Sequence, residues 1–183
     1  MRNSFKSRAL AVFTSAILIA GIVVGTSNQA SAAGCTPIKA TGKSAGTISI
    51  GSLSMPIKAF NYPAGGIMEP AKNTTAAGLS ERHMPLSSKV GTSVVVWHRD
   101  YQGCTHPLDV FMSKTRGTRF SLTDENGITL TYKLTTVGVI TKGLYKPEWF
   151  DLIGPRQIVM FTCTGVFKSG HYEKNMVFIA TPV

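Results

Sequence analysis

From residue 46 onward, short stretches of the chain alternate apolar and polar positions, and apolar residues at helical spacing are scarce. Six runs read as strands: "GTISIGSL", "SVVVWH", "RFSLTD", "ITLTYKLTTVGVI", "RQIVMFTC" and "NMVFIATPV". They are rich in Val, Ile, Thr, Phe and Tyr and are bounded by Gly, Pro, Asn or Asp. Within "DENGIT", Asn126 and Gly127 give a hairpin signal, because both residue types accept the positive φ of a tight turn. Strands at this spacing indicate an all-β barrel or sandwich. The segment "NTTAAGLSERH", residues 73–83, reads as the one helical piece, and "KPEWFD" as a single short helical turn.

The N-terminus has a different pattern. "MRNSFKSR" carries Arg2, Lys6 and Arg8 and no acid, and "ALAVFTSAILIAGIVVG" follows as seventeen mostly apolar residues. Ala30 and Ala32 in "TSNQASA" then satisfy the small-x-small pattern of a signal-peptidase site. Export is therefore expected, with residues 1–32 a signal peptide or an N-terminal membrane anchor. The apolar run is at the short end of what crosses a ~30 Å hydrocarbon core, so both forms stay open. A lipoprotein reading through "AAGC" is weaker, since Ala32 occupies the position where an aliphatic residue belongs. Residues 33–45 read as a linker and 46–183 as one domain, because about 150 residues suffice for a single core.

The full chain has a formal charge of +10, and loss of residues 1–32 removes three cations and no acid, leaving +7. That balance suits an anionic cell surface. The basic residues are scattered, as on an ordinary soluble surface, and no aromatics cluster among them as in a nucleic-acid site, so no nucleic-acid partner is expected. Three cysteines in an exported chain allow one disulfide and one free thiol. Cys35 and Cys104 both lie in polar, irregular sequence and are the natural pair. Their bridge would contribute on the order of 4 kcal/mol by restricting the unfolded chain. No CxxC or HxxxH spacing occurs and the four His are scattered, so zinc is disfavoured.

Cys163 then stands free at the end of the apolar run "QIVMFTC", and His98 ends "SVVVWH". A thiol and an imidazole at two strand ends can meet across one groove of a barrel, where a nearby cation or donor would make an acyl-transfer site. A buried structural cysteine and a half-buried histidine are the plainer readings of each residue alone.

Several motifs resemble those of sortases, in the same order along the chain. "QIVMFTCTG" resembles the strand ending in Leu-x-Thr-Cys, with Met160 at the Leu position. "GTSVVVWHRD" resembles the strand that ends in the catalytic His, with Trp97 before His98. Between them, "DVFMSKTRGTRFSLTDENGITLTYKLTTV" resembles "VFxxLxxLxxGDxIxVxxxxGxxYxYxV". Upstream, "ISIGSLSMPIKAF" and "GIMEPAKNTTAAG" resemble the opening strands and the "MEVPxDPxxVGW" stretch of classes E and F. The resemblance implies a closed β-barrel with short helical turns and an exported cysteine transpeptidase at the cell surface that requires no metal or organic cofactor. In that reaction Cys163 attacks the Thr-Gly bond of a sorting-signal peptide and His98 protonates the leaving amine. A cell-wall or pilin amine then resolves the thioester.

The chain departs from the family at one point. Sortases carry an essential Arg a dozen or so residues after the Cys, and no Arg follows Arg156 here. Asn175 aligns nearest to that position and can donate a hydrogen bond without charge, whereas Lys174 offers charge without the guanidinium fork. The expected catalytic set is thus Cys163, His98 and Asn175, supported by Thr162, Lys174 and Trp97, with Arg99 and Asp100 flanking it. Two other readings stay open: a catalytically impaired sortase-like peptide-binding protein, and a structural secreted β domain. L,D-transpeptidases are disfavoured, as no "HGC" signature occurs.

Overall fold

The computed structural model describes residues 35–63 and 68–183, so the segment read as signal peptide or anchor lies outside it. Eight strands close into a barrel. Their order around it is β1 (Ser44–Ile50), β2 (Leu53–Phe60), β3 (Ala77–Ser80), β4 (Thr92–Trp97), β9 (Gln157–Lys168), β10 (His171–Pro182), β8 (Thr129–Thr141) and β7 (Arg119–Thr123). Pairing is parallel for β2 with β3 and for β4 with β9, and antiparallel elsewhere in the barrel. Two short strands outside it, β5 (Asp100–Tyr101) and β6 (Cys104–Thr105), pair with each other.

β4 and the first half of β9 are buried on both faces, which is why "SVVVW" and "IVMF" run apolar without alternation. Val95, Trp97, Ile158 and Met160 join the main core with Ile57, Tyr132, Leu134 and Phe178. The intervening Val94, Val96, Val159 and Phe161 form a second cluster on the outer face with Val177. A 3₁₀ turn, Pro147–Phe150, covers that outer layer by placing Trp149 and Phe150 each 6.0 Å from the Phe161 ring. A longer 3₁₀ segment, Pro107–Ser113, sends Leu108 and Phe111 into the main core, where Phe111 meets Phe120 edge-on at 5.3 Å.

The expected hairpin forms between β7 and β8. The Asp124 carboxylate accepts from the backbone N–H of Asn126 and of Ile128, each at 2.8 Å, and Gly127 takes φ 82°. The helix expected over 73–83 does not form. Asn73 Oδ1 accepts from Thr75 N at 3.0 Å and Ala76 N at 2.8 Å, and Ala77–Ser80 then extend as β3 between β2 and β4. Two strand edges and a side-chain-capped turn outweigh the helical preference of two alanines. "GTISIGSL" is not one strand but β1, a turn at Gly51–Ser52 and the start of β2. Cys163 does not end its strand either: β9 runs on to Lys168 and turns at Ser169–Gly170 into β10.

Cys35 is bonded to Cys104, 69 residues away, and Cys163 is the free thiol. The stretch read as a linker is held along the domain. Ile38 N donates to Thr74 Oγ1 at 3.3 Å and Ala40 N to Thr75 Oγ1 at 2.7 Å.

Candidate active site

Trp97 pairs with Thr162 across the parallel β4–β9 ladder, and the next residues along the two chains are His98 and Cys163. Cys163 follows Val159 and Phe161 by even steps and so belongs to the outer face of the barrel. Thr162 secures the junction: its buried hydroxyl donates to the Trp97 carbonyl at 3.0 Å, tying β9 to the peptide from which His98 departs. Trp97 itself lies in the main core, stacked on Phe178 at 6.0 Å, and supports the site from behind.

His98 is half-buried, and its Nε2 lies 3.2 Å from the Pro70 carbonyl. A carbonyl only accepts, so Nε2 carries the hydrogen of that bond and the neutral ring keeps Nδ1 as its free base. The ring lies 5.6 Å from that of Tyr101.

Cys163 is half-buried, and burial pushes its thiol up from the ordinary range. The positive charge of the Lys142 ammonium opposes this, while the Asp100 and Glu69 carboxylates raise the thiol further. The resting group at neutral pH is therefore the thiol.

Asn175 stands directly across the antiparallel β9–β10 ladder from Cys163, and it is buried. Its amide donates to the Tyr145 hydroxyl at 2.8 Å. Lys174 alternates to the opposite face, is exposed, and pairs with Glu173 at 3.7 Å. Tyr172 donates to the Asp100 carboxylate, and the Arg99 guanidinium lies 5.5 Å from the Tyr172 ring centroid and 3.8 Å from Asp109. Arg156, the last arginine, is used elsewhere: it donates to the Tyr132 hydroxyl at 2.7 Å and to the Leu86 carbonyl.

The residues around Cys163 that sequence reasoning missed are Lys142, Tyr145, Tyr172 and Glu69. One signal for the first two was available. β10 sits between β9 and β8 and pairs Asn175 with Cys163 on one side and with Ile140 on the other. Immediately after Ile140 and Thr141 the chain turns, with Leu144 N donating to the Thr141 carbonyl at 3.1 Å and Gly143 at φ 89°. A cation and a phenol in that turn are thereby delivered to the Cys163 face. Among the described residues, no group of three His, Cys, Asp or Glu is placed to hold a metal ion.

No protein-family model matches the chain, and no curated protein matches it by sequence. Solved structures do match. Sortase A from Corynebacterium diphtheriae superposes with a TM-score of 0.59 at 19% identity, over 79% of this chain and 63% of that one. A lid mutant of Streptococcus agalactiae sortase C1 gives 0.59 at 16% identity, over 75% and 68%. Sortase C-1 from Actinomyces oris gives 0.58 at 18% identity, over 75% and 72%. The eight-stranded closed barrel is the sortase fold.

Proposed function

We propose that this protein is an exported cysteine transpeptidase of sortase type, working at the cell surface on a sorting-signal peptide and a cell-wall or pilin amine. The observation that carries the reading is the placement of a free thiol, Cys163, one step beyond the Trp97–Thr162 pair that also launches His98, on the outer face of a sortase-fold barrel. The Cys163 thiol passes its proton to the free Nδ1 of His98, the thiolate so formed attacks the carbonyl carbon of the Thr in a Thr-Gly bond, the carbonyl electrons move to oxygen, and a C–S bond forms. Collapse of that oxyanion breaks the C–N bond, and the leaving amine takes a proton from the His98 imidazolium. An acceptor amine then attacks the thioester, His98 takes up its extra proton, and the C–S bond breaks to return the thiolate. The class E/F likeness and the N-terminal signal pattern support the surface location.

A second reading, a peptide-binding protein with little turnover, is favoured by the raised Cys163 thiol and by the uncharged Asn175 at the position of the family arginine. One experiment separates the two. A quenched fluorescent peptide library with a fixed Thr-Gly pair is incubated with the purified domain, and intact mass is followed for an acyl adduct on Cys163. Adduct and cleavage lost in Cys163→Ala and His98→Ala support the transpeptidase. Saturable binding without adduct supports the binding protein, and neither binding nor adduct would leave only a structural β domain.

A further inference from the structure

We infer that Lys142, carried by the turn after β8, is the cation that acts on the Cys163 sulfur, in place of an arginine on the strand that follows the cysteine. The inference rests on the reading of Cys163 as a nucleophile. Its geometry is that of a latched turn. Tyr145 accepts from Asn175, the residue paired with Cys163, and its ring meets Phe161 edge-on at 5.6 Å and Phe150 at 6.0 Å. Phe161 precedes Cys163 by two residues on the same face. The turn is thus fixed over the site from two directions, and Lys142 lies three residues before its anchor.

Four other cations are engaged elsewhere, Lys146 over the Trp149 ring at 5.9 Å among them. Lys174 projects from the opposite face of β10 toward Glu173, and Arg156 is bound to Tyr132 and Leu86. Arg99 is held between Tyr172 and Asp109. The groups that bear on Cys163 from the packed elements are Asp100 on β5, Glu69 before β3, Tyr172 on β10, and Lys142 and Tyr145 after β8, while His98 stands one residue beyond the β4–β9 pair of Trp97 and Thr162. Without Lys142 the sulfur would face two carboxylates, Asp100 and Glu69, both of which oppose the thiolate. Lys142 is exposed and its stem is flexible. As negative charge passes from sulfur to the carbonyl oxygen during attack, its ammonium can follow with little reorganisation, where a buried guanidinium fork would be fixed.

The test is the pH profile of Cys163 alkylation by iodoacetamide, which needs no substrate and reads the thiolate directly. Lys142→Met is expected to slow alkylation at pH 7 by about five- to tenfold and to move the profile to higher pH, as loss of a neighbouring charge does. Lys142→Arg should stay within about twofold of wild type and Lys168→Met, on the far hairpin, should match it. A Lys142→Met profile that superimposes on wild type overturns the inference. Lys142→Gln provides a second neutral variant if the Met protein does not fold, with native circular dichroism required of each. The Thr-Gly peptide library separates this idea from the one beneath it. Wild-type adduct that is unaffected by Lys142→Met overturns the role of Lys142 and keeps the transpeptidase. A shifted alkylation profile with no adduct from any variant overturns the transpeptidase and keeps Lys142 as the partner of the thiol.

Discussion

Asn175 and Cys163 oppose each other on adjacent strands, yet the Asn175 amide is engaged by the Tyr145 hydroxyl at 2.8 Å and not by the sulfur. Asn175 therefore acts on the site through the turn that it holds. Asn175 is thus a latch for the turn that carries Lys142 and Tyr145.

This relationship sets opposite expectations for two substitutions. Asn175→Ala removes the latch and should lower stability by about 1 kcal/mol, read as a lower midpoint in urea. It should also slow Cys163 alkylation at neutral pH, because the Lys142 turn is released. Asn175→Arg loses the same bond but places a guanidinium beside the sulfur, and charge-assisted donors are roughly twice as strong as neutral ones. Alkylation and thioester formation should then be faster than in wild type, even as the urea midpoint falls.

The raised thiol of Cys163 fixes the sign of its pH dependence. Below its pKa the thiolate fraction grows about tenfold per pH unit, so iodoacetamide labelling should climb at that slope from pH 7 to pH 9 without a plateau. A plateau below pH 8 would mean that the thiolate is already favoured at rest. Asp100→Asn, which removes a nearby negative charge, should shift the climb to lower pH.

His106 predicts acid sensitivity. It is buried, accepts from Leu108 N at 3.2 Å and donates to the Ala76 carbonyl at 3.1 Å. Burial pushes its pKa down from 6.5 to about 4; the Ala76 carbonyl opposes the shift and the charge of His98 adds to it. Between those values the unfolded chain binds the proton and the folded one does not. Stability should thus be full above pH 6.5 and fall by about 3 kcal/mol as the pH drops toward 4. The expected observation is a decline of thermal midpoint across that window that is shallower in His106→Gln.

Removal of the Cys35–Cys104 bridge should be costly and local. The paired Cys35→Ser, Cys104→Ser variant is expected to lose roughly 2–4 kcal/mol, or about 10 °C in melting temperature. Because Cys104 is on β6, opposite Tyr101 of β5, amide exchange should rise first across Asp100–Thr105. An unchanged melting temperature would show that the tether adds nothing to the folded domain.

Much of the barrel was legible in the sequence. Period-two alternation in "RFSLTD" and "ITLTYKLTTVGVI", uninterrupted apolar runs in β4 and β9, and Asn126–Gly127 are local signals, and each is carried by residues adjacent in the chain. The positions of Cys163 and His98 at the ends of apolar runs were legible for the same reason, and the disulfide followed from the polar settings of Cys35 and Cys104. Other features required the tertiary structure. "NTTAAGLSERH" looks helical in isolation, and only the edges of β2 and β4, together with the Asn73 turn, draw Ala77–Ser80 into a strand. The end of β9 was misplaced because its partner, β10, continues the ladder past Cys163. Lys142 was invisible as a site residue because it is 21 positions from Cys163 and comes from a turn, and a barrel order of β9, β10 and β8 is what brings that turn across two ladders to the thiol. Strand propensity is a property of neighbouring residues, whereas the charge around a nucleophile is set by which distant strands share hydrogen bonds.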